Sequence, residues 1–165
     1  MEPLTEQDIR AAFVNCTKGE AKRLSVPRDL GDRPWEDLDY LGWRDPQAPD
    51  RAYLVTVLEG RPTALALRGS AAGSGQARRS MCSMCLTTHS GGVCLMVAPR
   101  AGRAGQQGNS VGAYMCEDLA CSLYVRGKRD AGPGARLHET LTVDEKIRRT
   151  VTNLAAFVAR VTGAV

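Results

Sequence analysis

Six cysteines occur in this 165-residue sequence, and four fall in two close pairs, Cys82-x2-Cys85 and Cys116-x4-Cys121. Zinc takes four soft or borderline ligands in a tetrahedron, commonly supplied as two short pairs from separate stretches of chain. The two-residue spacer of Cys82 and Cys85 is that of a knuckle, a tight turn that brings both sulfurs to one side and aims backbone amides at the thiolates. The second spacer is two residues wider than the commonest form. It closes the same site if Cys116 precedes a helix and Cys121 lies on its first turn. The 30 residues between the pairs suffice for a β-hairpin. Knuckle, hairpin and short helix together predict a treble-clef zinc finger holding one Zn2+. Four thiolates leave no position for water, so the predicted ion is structural and not hydrolytic.

Other candidates for chemistry are fewer. A redox Cys-x-x-Cys opens a helix in a thioredoxin-like pattern, and no such pattern surrounds Cys82. His89 reads as an exposed turn residue beside Ser90-Gly91-Gly92. Cys94 reads as a buried strand residue behaving as a small apolar side chain, and Cys16, far from the rest, as structural. His89 and His138 are the only histidines, and neither has a catalytic context. No Ser-His-Asp or Cys-His arrangement is apparent, so the expectation is a binding protein and not an enzyme. The glycine-rich stretch 102–112 lacks the Gly-Lys-Ser/Thr ending of a phosphate loop. It reads as a flexible hairpin tip able to offer Arg103, Gln106, Gln107 and Asn109 to a partner.

The elements that would position these residues give an α+β fold class, a small mixed domain with β-hairpins, the zinc finger and a C-terminal amphipathic helix. Thr5 caps a short first helix with Ile9, Ala12 and Phe13 on its apolar stripe, and Lys18-Gly19 reads as a helix break. Pro34 opens a brief helix through Trp35, Leu38 and Leu41, ended by Trp43-Arg-Asp-Pro46. Tyr53–Leu58 and Thr63–Leu67 flank Glu59-Gly60-Arg61-Pro62 as a hairpin. Gly69–Gln76 reads as a mobile loop and divides the chain into 1–75 and 76–165, two parts packed as one domain. Thr142-Val-Asp-Glu145 is a capping box. After it, Val143, Ile147, Val151, Leu154, Val158 and Val161 line one helix face.

The net charge of +4 is unevenly placed. Between Gln76 and Arg129 stand Arg78, Arg79, Arg100, Arg103, Arg126, Lys128 and Arg129, against only Glu117 and Asp118. Such a patch suits RNA or an acidic protein surface, and equally a solvated face. Tyr114 and Tyr124 join Arg126 and Lys128 as a mixed aromatic-basic surface, with core packing the alternative for Tyr124. Glu36, Asp37 and Asp39 read as a solvated helix face. No run approaches a membrane span and the N-terminus lacks the pattern of a secretory signal. The predicted location is cytoplasmic, with the cysteines as thiols.

Arg79-Ser-Met-Cys-Ser-Met-Cys85, Gly108-Asn109 and Tyr114-Met-Cys-Glu-Asp-Leu-Ala-Cys121 resemble the C-terminal treble-clef domain of the elongation-factor-G-binding proteins of the fusidic-acid-resistance type. The resemblance covers most of the chain. It implies a domain that docks on the C-terminal part of translation elongation factor G and helps it leave the ribosome. Those resistance proteins also carry an N-terminal helical bundle, and residues 1–48 are too short and too broken by prolines to form it. What is implied is a stand-alone, monomeric zinc domain that meets the factor, the ribosome or ribosomal RNA. Its contact residues would be Arg78, Arg79, Arg103, Gln107, Asn109, Tyr114, Tyr124, Arg126 and Lys128. The competing reading is an RNA- or ribosome-binding zinc protein that does not touch the factor.

Overall fold

Thr5 accepts the Asp8 amide while the Asp8 carboxylate takes the Thr5 amide, and this reciprocal cap starts α1 (Glu6–Ala11). The same device at Thr17 and Glu20 starts α2 (Lys18–Arg23), so Lys18-Gly19 opens a helix where the sequence predicts a break. A capping box satisfies two orphan amides, which outweighs the unfavourable helix propensity of one glycine. The computed structural model describes residues 1–69, 79–90, 92–132 and 139–164, with backbone only at Arg79 and Ser90. The predicted loop at Gly69–Gln76 lies outside the described residues apart from Gly69, which ends a strand.

The predicted helix through Leu41 is not formed. A single 3₁₀ turn covers Trp35–Asp37, and the chain then extends as β1 (Tyr40–Asp45). Leu41 and Trp43 lie on one face of that strand and Tyr40, Gly42 and Arg44 on the other, so pairing with the next strand decides the conformation. β2 (Ala48–Leu58) and β3 (Arg61–Gly69) form the predicted hairpin. Glu59 and Gly60 both take positive φ, 50° and 74°, the handed turn that matches strand twist. β4 (Arg79–Met81) pairs with β5 (Thr88–Ser90) in a two-stranded ribbon. β6 (Val93–Pro99) and β7 (Ser110–Cys116) form a second hairpin. Its connection is α3 (Gly102–Gln106), not a structureless tip. Gly105 packs against the Arg100 carbonyl, where a Cβ would collide.

The main sheet runs β1-β2-β3-β6-β7, all antiparallel, and so crosses the division at residue 75. Among the described residues, β3 and β6 share only the pairs Arg68–Val97 and Gly69–Met96. Where they part, the Asn15 amide accepts the Ala66 amide and donates to the Ala66 and Pro99 carbonyls. One side chain thus replaces strand contacts that buried backbone groups require.

Each sheet face carries its own core. One packs Leu41, Trp43, Tyr53, Val55 and Ala64 against Ile9, Ala12, Leu24 and Trp35. The other packs Leu54, Leu65, Met96, Ala113 and Met115 against α4 (Cys121–Val125) and α5 (Val143–Thr162). The capping box of α5 is present, but its buried face is Thr150, Leu154, Phe157, Val158 and Val161. Val143 and Val151, predicted on that face, are 49% and 37% exposed. Phe157, fully buried, takes the centre that the sequence assigns to a valine row.

Candidate metal centre

Cys82 and Cys85 sit in the turn between β4 and β5. That turn is closed by the Leu86 amide on the Cys82 carbonyl at 2.9 Å and the Cys82 amide on the Thr87 carbonyl at 2.9 Å. Leu86 takes a positive φ of 58°, and the Met84 amide approaches the Cys82 sulfur at 3.3 Å. These are the features of a zinc knuckle, a tight turn with an amide aimed at a thiolate. Cys116 ends β7 and Cys121 begins α4, as the wide spacer requires. The four-residue link holds Leu119 at φ 57°, with the Asp118 carboxylate accepting the Ala120 amide at 3.0 Å. Gly42 on β1 makes room for Leu119, since a Cβ there would overlap the leucine side chain. From α5, Asn153 donates to the Met84 carbonyl at 2.9 Å and anchors the knuckle to the helix.

The four sulfurs lie within 4.8 Å of one another, and all four cysteines are buried. Cys82–Cys121 and Cys85–Cys116 are each separated by 3.6 Å. A tetrahedron with metal–sulfur bonds of about 2.3 Å has edges of about 3.8 Å, so the cage fits zinc. A divalent ion takes all four sulfurs as thiolates.

His89 corrects the sequence reading. It lies on β5, 5% exposed, with Nε2 3.3 Å from the Cys116 sulfur. Its ring meets Tyr124 edge-on at 4.7 Å. The Tyr124 hydroxyl donates to Asp118 at 2.7 Å, and Asp118 pairs with Arg129 at 3.2 Å. An unbroken chain of contacts therefore runs from a zinc ligand to the surface. Burial and the Asp118 hydrogen bond push the Tyr124 phenol well above its usual range. Tyr124 thus follows the core alternative, half-buried behind the metal. No spacing rule reveals His89, because its place depends on the Ser80–His89 pairing of a three-residue strand.

The chain matches the family described as the FBP C-terminal treble-clef zinc-finger over residues 8–161. It belongs to that family. The four cysteines of this treble clef bind one structural zinc, as their spacing predicts. No protein of curated function and no solved structure matches the chain.

The predicted partner residues are scattered by the fold. Arg103, Gln107 and Asn109 are exposed around α3, and Tyr114 is 55% exposed on β7. Arg126 is instead locked to Asp39 by two contacts of 2.7 and 2.9 Å, with the side chains only 15% and 9% exposed. Lys128 reaches Asp37 at 2.6 Å. Asp37 and Asp39 are therefore internal ion-pair partners and not a solvated helix face. Arg78 lies outside the described residues, and of Arg79 only the backbone on β4 is described. Cys94 is half-buried, its sulfur 3.0 Å from the Arg44 guanidinium, and Cys16 is also half-buried. Neither belongs to the metal cluster.

Proposed function

We propose that this treble clef is a non-catalytic binding module that grips translation elongation factor G and promotes its departure from the ribosome. The observation that carries the reading is an exposed apolar surface on the zinc-anchored hairpin. Tyr114 and Leu95 are direct cross-strand partners on β7 and β6, 55% and 42% exposed. Met81, 44% exposed, ends β4, and the Ser83 amide bonds the Tyr114 carbonyl at 2.7 Å, which brings the knuckle beside them. Large exposed apolar side chains grouped on a rigid scaffold mark interaction surfaces, and an amphipathic tyrosine suits one. Arg103, Gln107 and Asn109, at the other end of the same hairpin, supply a polar margin. In this reading the domain acts as a cytoplasmic monomer. Arg126, locked to Asp39, holds the fold together rather than meeting the partner, and Lys128 stays exposed in a surface pair with Asp37.

The test is titration of the full chain and its Tyr114→Ser/Leu95→Ser variant against elongation factor G and, separately, ribosomal RNA. The variant should keep its zinc and melting temperature and bind the factor at least about tenfold more weakly, as truncated interface anchors do. Unchanged affinity for the factor overturns the proposed surface. Binding to RNA alone, falling steeply with salt, replaces the factor by the ribosome as the partner.

A further inference from the structure

On the sheet face opposite the zinc, a cleft of about 410 Å³ opens between α2 and strands β2 and β3. Arg23 from α2, Arg51 from β2 and Arg68 from β3 line it. Arg51 and Arg68 are direct cross-strand partners, and all three arginines are exposed. Like charges placed opposite each other across a ladder are destabilising. Among the described residues, no carboxylate lies within ion-pair distance of any of the three.

Both acidic groups of the cleft hydrogen-bond elsewhere, although the Glu20 charge still attracts Arg23 and Arg51 from beyond ion-pair distance. Glu20 accepts the Thr17 amide and hydroxyl, each at 2.8 Å, in the cap of α2. Asp45 accepts the Gln47 amide at 2.9 Å and the Tyr53 hydroxyl at 3.3 Å. Three guanidinium groups thus line one cleft and, among the described residues, none of them donates a hydrogen bond to a protein acceptor. A carboxylate has two oxygens and is satisfied by a single fork, whereas a phosphate offers enough oxygens for several.

We propose that this cleft binds a phosphate group, carried either by a small phosphorylated molecule or by the backbone of an RNA strand. The site is independent of the elongation-factor reading and lies on different residues. A bound phosphate would bridge Arg51 and Arg68 and convert their repulsion into a shared contact, with Arg23 closing from the helix side.

The test uses the full zinc-bound chain with inorganic pyrophosphate, and separately with an unstructured oligoribonucleotide, in calorimetric titrations at matched ionic strength. The variant is Arg51→Gln/Arg68→Gln. Arg61→Gln, an exposed arginine at the far end of β3, serves as the charge control. Pyrophosphate should bind the parent and the control alike and the double variant about tenfold or more weakly. Without ligand, the double variant should melt no lower than the parent, because an opposed pair of like charges has been removed. If the oligoribonucleotide also binds and pyrophosphate displaces it, the source is RNA. If pyrophosphate binds and the oligoribonucleotide does not, the ligand is a small phosphorylated molecule. Absence of pyrophosphate binding, or equal binding by parent and double variant, overturns the site.

Discussion

Replacing Arg126 by methionine removes one half of the contact that ties α4 to the start of β1. Asp39 keeps a side chain only 9% exposed and loses both guanidinium bonds, of 2.7 and 2.9 Å. The Asp39 amide offers no replacement, since it already donates to the Ser122 hydroxyl. An exposed ion pair is worth about 0–1 kcal/mol, and stranding one charge of a fully buried pair costs about 3–5 kcal/mol. With both partners mostly but not wholly buried, the loss should be about 2–3 kcal/mol. In the Arg126→Met background, Asp39→Asn should cost far less than it does alone, giving a coupling of about 2 kcal/mol. Urea unfolding of the zinc-bound chain reads this as a lower midpoint at unchanged slope. An Arg126→Met variant within about 0.5 kcal/mol of the parent, the range of ordinary surface substitutions, refutes the reasoning. It would restore Arg126 as a free surface charge.

His89→Ala should retain one zinc per chain but surrender it about 10–100-fold more readily to a chromophoric chelator, as loss of outer-shell partners does. An unchanged transfer rate makes the contact with Cys116 idle. Cys94→Ala should keep the metal and lose only packing and the Arg44 contact, on the order of 1–2 kcal/mol. Release of zinc by that variant contradicts the ligand set. Glu145 titrates below its ordinary value of 4.5 because the Thr142 amide and hydroxyl bond its carboxylate. A depressed folded value means that its contribution to α5 is complete above pH 4.5 and is lost as the pH falls through the lower value. A carbon-shift titration of Glu145 with a midpoint at or above 4.5 removes the cap from the account.

The metal centre was legible because ligand chemistry restricts both residue type and spacing, and 82, 85, 116 and 121 satisfy both. The β2–β3 hairpin and the cap at Thr142 were legible for a similar reason, since each is a local motif with its own residues. What sequence reasoning missed was set by distant partners. Trp35, Leu38 and Leu41 fit a helix stripe while Leu41 and Trp43 fit a strand face, and only pairing with β2 decides between them. His89 looked like a turn residue because strand β5 is three residues long and depends on the knuckle for its existence. Arg126 and Lys128 belonged to a basic count along the chain. In space they answer Asp39 and Asp37, which are 87 and 91 residues away. In the apolar row of α5, Leu154, Val158 and Val161 are buried as predicted and Val143 and Val151 are not, because Phe157 and Thr150 were not weighed with the valines.

Zinc K-edge X-ray absorption on the full chain, with metal content measured on the same sample, probes the centre on which the binding hairpin stands. One zinc per chain surrounded by four sulfurs at about 2.3 Å, with no nitrogen neighbour, is the predicted result. Three sulfurs and one nitrogen at about 2.0 Å would contradict it, because His89 would then be a ligand and one of the four cysteines would not.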